Sequence, residues 1–264
     1  MEILGYVASA LIGLSMGLIG GGGSVLTVPV MVYLFGINPV IGTAYSLFIV
    51  GTTAVVGAIP KYRARLVNVR TAIVFGIPSI LGVFFTRLYI VPAIPEEVFS
   101  VAGLVVSKSM FLMLIFAVLL LAASISMIFE RNGKAIEQPT EPLKFNYPLI
   151  LIEGLVVGAL TGLVGAGGGF LIIPALVLLS KLPMKEAVGT SLVIIASKSL
   201  IGFLGDLSNI QIDWGFLFII TAIAVSGIFA GNWLSTKIDG KKLKRFFGWF
   251  ILVMGIFIIF KELS

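Results

Sequence analysis

The chain has 264 residues, 59% of them apolar and only 11% charged, against about 25% charged in a typical soluble domain, and no soluble fold of this size hides so many apolar side chains. It has no cysteine and no histidine, which excludes thiol redox chemistry, haem ligation by His or Cys, the usual zinc sites and every Ser–His or Cys–His catalytic pair. The net charge of +6 sits in short basic loops beside apolar runs, a topology signal rather than a nucleic-acid footprint.

Apolar segments follow one another at 3–19, 24–36, 43–60, 71–91, 98–129, 147–164, 170–181, 187–205, 214–236 and 246–261. Several reach the roughly 20 residues a spanning helix needs, and the ~10-residue alternating strands of a β-barrel are missing. The expected fold class is an all-α polytopic membrane protein. The first segment lacks a basic n-region and a clear cleavage site, so it reads as mature structure. The stretch ERNGKAIEQPTEPLKFN, 130–146, carries charges of both signs, two prolines and a glycine. It divides the chain into a first membrane repeat (1–129), a cytoplasmic linker and a second membrane repeat (147–264).

The halves are related. Shifted by 145 residues and compared without a gap, 13–57 and 158–202 agree at Gly13, Gly17, Leu18, Gly20, Gly22, Gly23, Leu26, Pro29, Val32, Leu34, Ser46, Leu47, Ile49 and Gly57, and further on at Gly82 and Phe84. The loop KYRARLVNVR at 61–70 has four basic residues and no acid, whereas its counterpart DLSNIQID at 206–213 has two acids and no base. By the positive-inside rule the first is cytoplasmic and the second external. Each half has five segments, so the second half is inverted, and Met1 and Ser264 are expected outside. STKIDGKKLKRF, with five basic residues after the ninth segment, fits a cytoplasmic loop. This is the inverted-repeat plan of many secondary transporters.

Two glycine runs interrupt the apolar pattern. Gly20-Gly21-Gly22-Gly23-Ser24 breaks the first segment, and Gly165-Ala166-Gly167-Gly168-Gly169 breaks its repeat. Each glycine costs a helix interior about 1 kcal/mol relative to alanine, so four in a row end a helix. The segments after the breaks reach only about 18–20 Å, short of a ~30 Å core. Each pair is expected to be a re-entrant helical hairpin whose tip meets its mate near the midplane. Irregular backbone at that depth must be buried in protein or line a cavity, and the free amides of a half-helix N-terminus suit an anion. Packing through small residues is the plainer reading of Gly13-x-x-x-Gly17 and Gly158-x-x-x-Gly162.

Polar side chains inside spans complete the candidate site. Lys198, within Ser197-Lys198-Ser199, falls about 16 Å into its segment. A lysine at the bilayer centre costs at least about 2.5–3.5 kcal/mol and is a functional hypothesis by default; a structural pairing with Glu153 or a carbonyl is the competing reading. Its repeat mate is Thr53, beside Thr52. Ser46 and its mate Ser191, with Thr190, are hydroxyls able to serve an anion's oxygens or to bond between helices. Arg87 is expected to snorkel to the outer surface, Lys61 and Asp206 to sit at helix ends as topology markers, and Lys108 to lie inside a long apolar segment.

The residues GLSMGLIGGGGSVLTVPVMVYLFG with Ser46-Leu47, and again GALTGLVGAGGGFLIIPALVLLS with AVGTSLVIIASKSLIG, resemble the duplicated signature of the TauE/SafE sulfite-exporter family. The first repeat departs from it, with Thr43-Ala44-Tyr45-Ser46-Leu47 where the second has Val188-Gly189-Thr190-Ser191-Leu192. The resemblance implies a transporter of sulfur-containing anions such as sulfite, organosulfonates or related carboxylates, often in export. An anion channel or a permease for another solute competes with it; a membrane enzyme is disfavoured, because no carboxylate pair, nucleophile–base pair or metal cluster falls in the spans. The transporter reading calls for a small anionic substrate, a coupling proton or Na+ and lipid contacts. It needs no cofactor and no metal, and it is compatible with a homodimer.

Overall fold

A computed structural model of the chain describes residues 2–101, 104–128, 147–178, 180, 182–238 and 240–263. Helices account for nearly all of them. α1 (Glu2–Ile19) leads into a tight 3-10 turn (Gly20–Leu26), a short α2 (Thr27–Pro29) and a π-turn (Val30–Leu34). α3 (Pro39–Arg63) and α4 (Val69–Phe85) follow, α4 continuing through a π-turn (Thr86–Ile90) into α5 (Val91–Ala93). α6 (Lys108–Ile128) completes the first half. The second half runs α7 (Tyr147–Val164), α8 (Gly169–Leu178), α9 (Met184–Asp206), α10 (Trp214–Ser235) and α11 (Gly240–Leu263). Among the described residues six helical runs are long and apolar enough to cross a membrane, and their outward faces carry large exposed apolar side chains such as Phe85, Val118 and Trp233. The chain is an all-α polytopic membrane protein.

Local chemistry sets the helix starts. Asn38 caps α3, its side chain accepting from the Val40 amide at 2.9 Å with Pro39 in the first turn. Asn68 caps α4 through the Thr71 amide, and Asp213, its mate at the 145-residue shift, caps α10 through the Phe216 amide. Such caps satisfy amides that a helix start leaves without partners.

One expectation fails. Residues 98–129 are not one apolar helix: Glu97–Val101 and Leu104–Ser107 pair as an antiparallel hairpin, β1–β2, before α6. The β-branched valines of VFSV and LVVS suit a pleated pair better than a helix, and period alone does not separate the two in a short apolar run. Lys108 therefore stands at the start of α6, its amide bonded to the Glu96 carbonyl. The proposed linker, Met1 and Ser264 lie outside the described residues.

Packing between the halves is reciprocal. A Cβ on Gly13 would strike the Ala224 carbonyl, and one on Gly158 the Ser79 carbonyl; one on Gly82 would strike Leu155 and Ala159, and one on Gly227 Ala10 and Leu14. Likewise Gly57 lies against Ile228 and Gly202 against Val83. In each case the second contact is the first with both partners moved by 145 residues, the signature of a two-fold relation. Small residues at these crossings let the helix backbones touch, which is how apolar helices associate where lipid offers no hydrophobic drive.

The same contacts give directions. Positions 10 and 17 of α1 meet 227 and 232 of α10, and 48 and 57 of α3 meet 214 and 228, so α1, α3 and α10 run together. Position 75 of α4 and 86 of its π-turn meet 154 and 162 of α7, and 76 and 87 meet 194 and 205 of α9, so α4, α7 and α9 run together. α3 opposes α9, since 48 meets 203 while 61 meets 189. Each equivalent pair (α1 and α7, α3 and α9, α4 and α10) thus has one member in each direction.

Candidate anion-binding site

Both glycine runs reverse the chain. Ile19 ends α1, and Gly20 takes φ +69°. A Cβ on Gly23 would meet the backbone of Ser15 and Met16, and Phe35 stacks edge-on to Tyr6 at 5.6 Å, back at the start of α1. In a straight helix, residues eight apart stand about 12 Å apart, so the return is a hairpin. Its mate Gly165 has φ +71°, and Gly168 (φ +74°) lies against Thr161, one turn before the break. Left-handed backbone at these points is open to glycine at little cost. The two tips touch: Ser24 Oγ donates to the Ala166 carbonyl, and Gly169 rests on Gly21. Both runs, Gly20 to Ser24 and Gly165 to Gly169, are buried throughout.

Lys198 reaches the second tip. It is fully buried, and its Nζ donates to Thr161 Oγ1 at 2.6 Å. The Thr161 hydroxyl donates in turn to the Val157 carbonyl at 2.7 Å. A Cβ on Gly168 would stand 2.7 Å from Nζ, so the ammonium lies against the glycine backbone where α8 begins. The Leu171 and Ile172 amides bond the Gly168 carbonyl at 3.0 and 2.9 Å, so the donors a ligand could use at the start of α8 are the amides of Gly169 and Phe170. Among the described residues no carboxylate pairs with Lys198, and two of its three N–H protons have no acceptor. The expected alternative partner, Glu153, is only half-buried on α7 and, among the described residues, forms no ion pair with it.

The opposite end of the same tip holds a residue the sequence reading misplaced. Arg87 does not snorkel: it is fully buried, and a Cβ on Gly165 would strike its Nη2. Nη1 donates to Thr43 Oγ1 at 3.0 Å and stands 3.4 Å from Asp206 Oδ2. Asp206 is therefore not a topology marker but the counter-ion of a buried arginine. Arg87 stands in the π-turn Thr86–Ile90, where Thr86 and Arg87 are the buried residues. The repeat comparison held a clue, since Arg87 aligns with Asn232, a second polar residue within an apolar helix. Lys61, the mate of Asp206, instead bonds Ser235 at 2.9 Å.

The remaining hydroxyls divide. Ser46 and Thr53 are buried, with no hydrogen-bond partner for either oxygen among the described residues. Ser191 donates to the Val188 carbonyl, and Thr190 accepts from the Asn68 amide, tying the α3–α4 loop to α9. Thr52 is half-buried. Ser197 turns outward and bonds the Val193 carbonyl, away from the face that carries Lys198.

The two ends of the tip pair differ in access. Beside the first break a cavity of about 160 Å³ is lined by Leu18, Lys61, Lys185, Val188 and Ser235 among others, and Val188 packs directly on Gly20. At the equivalent place beside the second break, Thr43 packs on Gly165 and the Arg87–Asp206 pair fills the space.

A polytopic helical protein with two touching glycine-broken tips, the second flanked by buried Lys198 and Arg87, belongs to the class of membrane transporters. The family model "Sulfite exporter TauE/SafE" matches residues 6–258, and the chain belongs to that family. It is 29% identical over 261 residues to a "Probable membrane transporter protein" of Xylella fastidiosa (strain 9a5c), covering 97% of this chain and 94% of that one. Against the "Probable membrane transporter protein YunE" of Bacillus subtilis (strain 168) identity is 25% over 279 residues, 98% of each chain. No solved structure matches.

Proposed function

We propose that this membrane transporter is a secondary carrier for a small oxyanion, a sulfite-like anion or organosulfonate, moved across the cytoplasmic membrane by alternating access, in the export direction. The observation that carries the reading is Lys198: a buried ammonium at a glycine-lined helix start, with one hydroxyl for a partner. A buried charge without a counter-ion is strongly destabilising, and an anion seated at the tip supplies one. The α8 N-terminus adds about half a positive charge, and the Gly168–Gly169 backbone admits oxygens close to the amides. The cavity beside Lys61, on the basic-loop side, supports an inward-facing arrangement, with the two-fold axis lying in the membrane plane, residues 1–129 and 147–264 as the two repeats, a cytoplasmic linker and both termini outside. A proton or Na+ gradient is the coupling source such a carrier needs.

The test is exchange in proteoliposomes loaded with sulfite, methanesulfonate or acetate. The wild type should accelerate counterflow of labelled methanesulfonate or sulfite, and Lys198→Met should abolish it. Lys198→Arg should fall between them, because the guanidinium fork is larger than the ammonium. Flux without counterflow would make the protein a channel. Wild-type exchange by the Met variant would overturn the assignment of the site.

A further inference from the structure

We infer that Arg87 is a second substrate ligand, and that the anion takes it over from Asp206, so that loading the site unlocks the sealed end of the transporter. The inference rests on the anion-carrier reading above and extends it to one residue pair. Arg87 spends a single nitrogen on its present partners. Nη1 serves both Thr43 Oγ1 and Asp206, while Nε and Nη2 are buried with no acceptor among the described residues. Asp206 is poorly served as well: at 3.4 Å its Oδ2 forms an ion pair with Nη1 but no hydrogen bond. A relaxed arginine–carboxylate pair in a dry site closes two parallel N–H···O bonds; this one closes none.

The unused nitrogens point to a definite place. Nη2 lies where a Cβ of Gly165 would stand, and Lys198 Nζ lies beside Gly168 in the same loop. These glycines are three positions apart, so their Cα atoms are at most about 11 Å apart. The loop is therefore bracketed by two buried cations, each with donors to spare, against a single carboxylate. The first loop has no such pair: its equivalents are Asn232 and Thr53. An anion with three oxygens on one centre can accept from the arginine fork, the ammonium and the α8 amides together. A carboxylate holds its acceptor sites in one plane, whereas a sulfonate or sulfite spreads three oxygens pyramidally toward donors on different sides, which favours sulfonate and sulfite chemistry.

Arg87, Asp206 and Thr43 also close the space over Gly165. When the fork turns to the anion, α4 loses its ionic tie to the end of α9. Occupancy and opening of that side are then one event.

The test is a double-mutant cycle on the full-length protein in detergent, with methanesulfonate binding measured by calorimetry at fixed ionic strength. Arg87→Gln should weaken binding about tenfold or more. Asp206→Asn removes the competitor and should tighten binding. The double variant Arg87→Gln/Asp206→Asn keeps the buried charge balanced and should bind like Arg87→Gln alone. Binding by the double variant that equals wild type would overturn the inference, as would weaker binding by Asp206→Asn. If the wild type binds methanesulfonate, and Lys198→Met loses it while the double variant does not, this inference fails and the anion-carrier reading stands. If the wild type binds neither methanesulfonate nor sulfite, both fail.

Discussion

Gly168→Ala and Gly36→Ala separate the strain of a left-handed backbone from the work the second glycine tip does. Both glycines have φ near +70°, at +74° and +67°. An alanine in that conformation costs about 1–2 kcal/mol wherever it sits. Around Gly36 nothing stands within 4 Å of the new methyl, so that cost is the whole effect. At Gly168 the methyl would overlap the Thr161 side chain and stand 2.7 Å from Lys198 Nζ, where ordinary contact begins at 3.4 Å. The ammonium must retreat by about 0.7 Å, the difference of those distances, and Thr161 must move with it. Overpacking of this kind adds about 1–3 kcal/mol, and each kcal/mol is worth about 2–4 °C in Tm at this chain length. Gly168→Ala should therefore melt about 2–12 °C below Gly36→Ala. It should also lose anion exchange, which Gly36→Ala retains. Equal melting of the two variants, with exchange intact in both, would refute the claim that the ammonium is pressed against the glycine backbone.

Thr161→Val removes the one acceptor Lys198 has and should lower exchange, while Thr161→Ser should restore most of it; a valine variant with normal exchange would mean that the ammonium finds water or another oxygen. Gly158→Leu drives a side chain into the Ser79 carbonyl and should destabilise the α4–α7 crossing by several kcal/mol, visible as poor yield of folded protein in detergent. The absence of native cysteine makes labelling direct. A single cysteine at Arg65 should react with membrane-impermeant maleimide only in inverted vesicles and one at Ser208 only in intact cells; the same sidedness for both would reject the inverted arrangement.

Much of the architecture was legible because apolar length and glycine runs are first-order signals. A run of about 20 apolar residues has few places to go other than a bilayer. Four glycines in a row end a helix in any surroundings, and the reversals at Gly20 and Gly165 fall where the composition puts them. Lys198 was legible for a related reason, as a charge in mid-span. The β1–β2 hairpin was not, because VFSVAGLVVS has no polar alternation to set it apart from helix. Ser197 was misjudged because adjacency in sequence is not adjacency on a helix: its neighbour lies about 100° around the axis, and it turns outward while Lys198 turns in.

Arg87 and Asp206 show what a duplicated chain offers and how it is best read. Where both repeats hold the same residue, as at Gly13 and Gly158 or Gly82 and Gly227, the identity serves a crossing that recurs on each side of the two-fold relation. Where equivalent positions differ in charge, symmetry cannot be the reason, because packing that is reciprocal accepts the same side chain twice. Three such positions bear on the tips: Thr53 against Lys198, Asn232 against Arg87, Lys61 against Asp206. All three place the second repeat's tip among buried charges, and leave the first tip beside an open cavity with a lysine at its wall. The identities thus describe the scaffold and the differences describe the chemistry. The mismatch of Arg87 with Asn232 in the 145-residue alignment is the sequence signal that sets Arg87 at the buried second tip rather than at the lipid surface.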